Sequence, residues 1–106
     1  MLVSTTNEIV GFKIVQHIGL VRGVTVRSRS VIGNVAGGLQ SIFGGRLSAY
    51  VSLADTARQE ALDHLCQHAA ERGANAVIGM RYDANEIMDG VTEVLAYGTA
   101  VRYELT

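Results

Sequence analysis

Glu60, His64 and His68 stand four residues apart in a run of good helix formers, and Glu71 follows three residues later. On a helix this spacing stacks side chains along one side, so two imidazoles and a carboxylate can converge on Zn²⁺ or a similar ion. The same spacing also describes an ordinary helix edge, with Glu60 paired to His64 and the rings lying over apolar surface. Neither H-E-x-x-H nor paired C-x-x-C spacing occurs, so the edge reading leads and no metal ligand is assigned. Cys66 does not extend the set. Two residues from His64 is about 200° around a helix, which turns the thiol away with Leu62 and Ala70, where a free cysteine acts as a small hydrophobe.

Gly44-Gly45-Arg46 with Tyr50 is the segment whose types suit a ligand. Two glycines permit close backbone approach, a following helix offers free N–H groups, and Arg46 supplies a planar fork for carboxylate or phosphate. The structural alternative is a glycine stop to a preceding helix, with Arg46 and Tyr50 at a subunit contact. The segment is not a phosphate-binding P-loop, since G-x-x-x-x-G-K-[ST] is missing. No G-x-S-x-G elbow is present, and Cys66 has no local signature joining it to a base. The acids Asp83, Glu86 and Asp89 fall in a stretch that reads as a solvated turn. These observations give a non-enzymatic reading with no cofactor.

The elements that must position these residues follow from periodicity. Phe12 to Val26 alternates, with Phe12, Ile14, Ile18, Leu20, Val24 and Val26 on the even side, and reads as a strand interrupted by a bulge, bend or turn at Gly19 and Gly23. Val35, Leu39, Ile42 and Phe43 recur at helical spacing after Asn34, giving a short helix weakened by Gly37 and Gly38. The clearest helix begins at Ala49 or Ser52, where Ser52-x-x-Asp55 offers a capping box, and ends at Arg72 before Gly73. Tyr50, Ala54, Ala57, Ala61, Leu65 and Ala69 fall on its inner stripe. Ala74 to Tyr82 reads as a strand, Asp83 to Gly90 as a polar turn and Val91 to Glu104 as a long strand with apolar residues on both faces. A long helix packed on a small antiparallel sheet, an α+β fold, satisfies this order.

The 106 residues form one domain, 1–106, with 48% hydrophobic and 18% charged residues, a composition that folds rather than staying disordered. So small a domain leaves much apolar surface to bury against copies of itself. A formal charge of −1, without any basic run, argues against nucleic acid as a partner. No stretch has the ~20 apolar residues needed to span a bilayer, so no membrane partner is expected. A single cysteine suits a reducing compartment, and the first residues lack the basic start and apolar run of a signal peptide. The expected location is cytoplasmic.

Five segments together resemble the YbjQ-like family along nearly the whole chain. They are Ser4-Thr5-Thr6, Gly19-Leu20-Val21-Arg22-Gly23, Gly44-Gly45-Arg46-x-x-Ala49-Tyr50, Gly73-Ala74-Asn75-Ala76-Val77-Ile78-Gly79-Met80 and Gly98-Thr99-Ala100-Val101. The resemblance implies a dodecin-like subunit in an oligomeric ring, usually a homopentamer. It carries over no settled biochemical role, and the heavy-metal-binding label attached to the family matches no motif in this chain. Val51 replaces a charged residue common in the family after Tyr50, and the Gly37-Gly38 helix is weaker than usual. The leading expectation is a ring-forming scaffold, its only partner itself, with Gly44, Gly45, Arg46 and Tyr50 at a ligand or subunit contact. A metal-binding protein using His64, His68 and Glu60 is the runner-up, and an enzyme with a site between subunits comes third.

Overall fold

The computed structural model describes residues 1–28 and 45–105, with side chains in the helix described from Tyr50 onward. The elements are β1 (Leu2–Val3), β2 (Phe12–Ser28), α1 (Gly45–Glu71), β3 (Ala76–Met88) and β4 (Val91–Leu105). They form one four-stranded sheet in the order β1-β3-β4-β2. The central strand β4 pairs antiparallel with both β2 and β3, and β1 adds a short parallel pairing to β3 at Ala76 and Val77. The expected helix beginning at Asn34 lies outside the described residues.

The helix α1 crosses one face of the sheet, over β2 and β4. Ala57, Ala61, Leu65 and Ala69 are buried on its inner stripe, as their spacing predicts, while Ala54 is exposed and Tyr50 half-buried. Alanines let the helix backbone come down onto the sheet. Gly23 is where it lands, because a Cβ there would stand 2.1 Å from the Ala61 carbonyl oxygen and 2.3 Å from the Leu65 nitrogen. Gly23 is therefore a site of helix contact rather than a bend. Gly19 carries the expected irregularity, with φ +129° beside a register shift between His17 and Gly19.

Three expectations differ from the structure. The helix begins at Gly45, so Ser52 and Asp55 are exposed residues within it and cap nothing. A capping pattern on the outer side of a helix already under way has no terminal N–H groups to serve. The strand β3 runs on through Asp83 to Met88, and only Asp89-Gly90 turns, with Gly90 at φ +77°. The polarity of 83–89 reflects an exposed strand rather than a loop. The two bulges in β2 cancel, so Ile14 and Leu20 share the face away from α1 while Ile18, at the second bulge, leaves the even set and packs with the core under the helix. Val21, Gly23 and Thr25 point toward α1, while Leu20, Arg22, Val24 and Val26 point away.

The far end of α1 stops as predicted. Gly73 adopts φ +85°, its N–H reaches the Ala70 carbonyl at 3.0 Å, and the Ala74 N–H reaches the Ala69 carbonyl at 3.0 Å, a Schellman closure. Asn75 then ties the chain to β4, accepting the Tyr103 N–H at 2.8 Å and donating to the Tyr103 carbonyl at 3.1 Å. Ser4-Thr5-Thr6 continues the edge of β3, with Ser4 N–H to the Val77 carbonyl at 2.8 Å and Gly79 N–H to the Thr6 carbonyl at 2.9 Å. Arg81 adds a bond to the Thr5 carbonyl at 2.8 Å. The N-terminal segment thereby covers the lower end of the second sheet face, where Ala76, Ile78 and Val101 are buried against Leu2, Ile9, Ile14 and Tyr103.

Candidate functional site

The row Glu60, His64, His68 lies along the outer edge of β2, and Arg72 extends it by one more turn. Four helical residues advance about 6 Å, close to the ~6.6 Å of two strand residues, so each helical turn meets the next outward-facing backbone group. His64 Nδ1 lies 3.0 Å from the Val24 carbonyl oxygen. His68 Nδ1 lies 3.2 Å from both the N–H and the carbonyl oxygen of Arg22. Arg72 donates to the Leu20 carbonyl at 2.9 Å and to the Ile18 carbonyl at 3.3 Å. Glu60 does not pair with His64. It accepts from the buried Thr25 hydroxyl at 3.0 Å and forms an ion pair with Arg27. The row closes a sheet edge whose backbone groups would otherwise be open to another strand.

Tyr50 occupies a second place. Between the first half of α1 and the sheet lies a cleft of about 280 Å³, lined by Tyr50, Leu53, Arg27, Arg58, Thr92 and Val94 among others. It opens because α1 leaves the sheet before Ala57, and the rows Thr25–Val94–Ala84 and Arg27–Thr92–Glu86 run on beneath it. Arg58 stacks its guanidinium over the Tyr82 ring at 5.6 Å from the centroid, a cation–π contact. The cleft thus has apolar walls with two guanidinium groups, one already held by Glu60. Gly44 lies outside the described residues. Gly45 and Arg46 form the first turn of α1, one turn before Tyr50, and the Arg46 side chain lies outside the described part.

Cys66 is partly buried, and burial pushes its thiol pKa up, with Asp63 adding to the rise and the amino terminus opposing it. A raised thiol is a poor nucleophile at neutral pH. Among the described residues no three histidine, cysteine, aspartate or glutamate side chains group closely enough to hold an ion. None of the described helices is long and apolar enough to cross a membrane.

Sequence reasoning found the histidine row and Tyr50 but missed Arg72, Arg27 and Arg58. The signal for Arg72 was available, four residues beyond His68. For Arg27 and Arg58 there was none, because only the packing of α1 over the face of Val21, Gly23 and Thr25 brings Arg27 under the helix beside Glu60.

The comparisons agree with the architecture. A family described as "Putative heavy-metal-binding", the YbjQ family, matches residues 1–104. A "UPF0145 protein" of Chromobacterium violaceum is 56% identical over 103 residues, covering 97% of this chain and 88% of the relative. Another from Paraburkholderia phymatum is 58% identical over 100 residues, covering 94% and 90%. A crystal structure from Pediococcus pentosaceus, of unknown function and of the DUF74 family, superposes with a TM-score of 0.65 at 17% identity over 98% of each chain. That similarity concerns the fold alone. With one helix across a four-stranded sheet and a family match over nearly its full length, this chain belongs to the YbjQ family.

Proposed function

We propose that the chain is a non-enzymatic subunit that assembles with copies of itself into a ring, a pentamer by the family resemblance, and works as a scaffold in a reducing, cytoplasm-type compartment. The observation that carries this reading is the exposed upper half of the second sheet face, on which no described element packs. Leu20, Val24 and Val26 are 65%, 39% and 50% exposed there, beside Leu95 and Tyr97. Neighbouring apolar side chains on a rigid sheet are more than the scattered exposure of an ordinary surface. Shape adds support. The described residues extend 55 × 27 × 18 Å with a radius of gyration of 17.0 Å, against about 13 Å for a compact domain of 100 residues. From Arg81 on, the outer edge of β3 has no partner strand among the described residues, while the β2 edge is closed by the α1 row. A sister strand therefore has one edge to join.

Within that assembly the cleft beside Tyr50 suits a small ligand with an apolar body and one carboxylate or phosphate. Arg58, stacked on Tyr82, is the lining group that favours an anion.

Native mass spectrometry on tag-free protein tests both statements, since one spectrum reports subunit number and any held molecule. The expected result is a ring that falls to monomers in the Leu20→Asp, Val24→Asp variant. A parent protein that remains monomeric at micromolar concentration overturns the assembly reading. A ring free of added mass after exposure to short-chain fatty acids and alkyl phosphates overturns the ligand reading.

A further inference from the structure

The irregularities of the sheet gather at one level of its second face. In β2 a register shift between Ile14 and Gln16 and another between His17 and Gly19 bracket His17, and between them the side chains are out of step with the rest of the strand. His17 therefore stands opposite Val101, on the side of Ile14 and Tyr103, where an unbroken strand would present Gln16. In β3 the shift between Ile78 and Arg81 falls at Gly79, with φ +61°, whose N–H is held by the Thr6 carbonyl at 2.9 Å. A Cβ on Gly79 would stand 3.3 Å from Asn7 Oδ1, so the glycine leaves room for that side chain. Beside these features lies a cleft of about 400 Å³, lined by Asn7, Glu8, Ile9, Phe12, Ile14 and His17.

The floor of this cleft is apolar. Ile9 and Ile14 pack on the buried Ala76, Ile78 and Val101, and Phe12 meets Tyr103 edge-on with ring centroids 4.7 Å apart. Its rim is polar and held in place, because the segment carrying Asn7 and Glu8 is bonded to β3 through Ser4, Thr5 and Thr6, and the Thr6 hydroxyl donates to the Glu8 carbonyl at 2.6 Å. The Asn7, Glu8 and His17 side chains have no hydrogen-bond or ion-pair partner among the described residues. Glu8 supplies the lining carboxylate, and among the described residues no lysine or arginine lines the cleft. Arg81, on the same sheet face, is turned to the Thr5 and Met80 carbonyls at 2.8 Å. We propose that this cleft is a second ligand site, taking a protonated organic amine with a flat apolar body. The ammonium group pairs with Glu8, the body lies on Ile9, Phe12 and Ile14, and the His17 ring and Asn7 amide bond further polar groups of the ligand. Its charge preference is opposite to that of the Tyr50 cleft, where guanidinium groups favour an anion. The inference rests on neither the assembly reading nor the Tyr50 ligand reading.

Amide NMR titration of the tag-free full chain tests the site, with phenethylamine as the probe, 2-phenylethanol as its uncharged counterpart and 3-phenylpropionate as its anionic one. The expected outcome is saturable amine shifts centred on Asn7 to His17, with Leu53 and Val94 of the Tyr50 cleft unmoved. The alcohol should bind there about tenfold or more weakly, and the carboxylate should leave these residues unshifted. Glu8→Gln, at an exposed position without a partner, should leave urea unfolding unchanged and reduce the amine affinity to that of the alcohol. His17→Ala should weaken both probes alike. Parent-like amine binding by Glu8→Gln, equal affinity of the parent for amine and alcohol, or no shifts with the amine at millimolar concentration overturns the proposal.

Discussion

The two faces of the sheet are made by the same strands, yet they are finished in opposite ways. Under α1 the residues are small and closely fitted, with Gly23, Ala96 and Ala100 buried beneath Ala57, Ala61, Leu65 and Ala69. On the other face the lower end is sealed by the N-terminal segment, while the upper end presents Leu20, Val24 and Val26 outward. Beneath Ala57 to Ala69 the first face is complete within one chain. The second has the composition of a core and the exposure of a surface, and the difference shows where a single chain stops satisfying its own apolar residues.

The sharpest way to break that comparison uses two adjacent residues that look in opposite directions. Gly23→Ala drives a methyl into the backbone of α1, where neither Ala61 nor Leu65 can move without lifting the helix. The expected loss is about 3 kcal/mol or more, a large share of the stability of a typical domain, read from urea unfolding. Arg22→Ala changes an exposed side chain whose backbone groups keep their His68 contacts, and should stay within about 0.5 kcal/mol. Equal costs for the two would mean that α1 does not rest on Gly23.

A second pair asks whether the open face stays open. Leu65 is fully buried, and Leu65→Ala should cost about 2–5 kcal/mol through lost contacts and the cavity left behind. Leu20→Ala should cost little in a dilute monomer. In the assembled protein its cost should rise toward that of a buried leucine and depend on protein concentration, because burial between chains is linked to association. Unfolding of both variants across a hundredfold range of concentration separates the cases. A Leu20→Ala effect that is small at every concentration removes that residue from any interface.

How far the sequence revealed these faces depends on what each signal measures. The alanine stripe of α1 was legible because helical spacing is local and uninterrupted from Ala57 to Ala69. The alternation in β2 was equally visible, but it could not show which side was inner. Each bulge shifts the face of the residues after it, and the two irregularities, between Ile14 and Gln16 and between His17 and Gly19, cancel before Leu20, so only Ile18 leaves the even set. Leu20, Val24 and Val26 were therefore correctly grouped, with nothing to show that the group faces away from the helix. At the candidate sites, the histidine row followed from spacing alone. Its carbonyl partners did not, since they come from a strand some forty residues earlier, and the Tyr50 cleft needed the third dimension altogether.

The smallest effect in the comparison belongs to Cys66, on the flank of α1 between the covered and open sides. Burial raises its thiol pKa, so the folded chain holds the proton to higher pH than the unfolded chain does. By linkage, stability is unaffected below the ordinary thiol range and declines as the pH rises through it toward the folded value. Cys66→Ala should flatten that alkaline decline while leaving stability at neutral pH nearly unchanged. Iodoacetamide labelling at pH 8 should likewise be several-fold slower in the folded chain than in urea. Equal labelling rates would place the thiol on the open side of the molecule, and the flank of α1 would then have to be counted with the surface that awaits a partner.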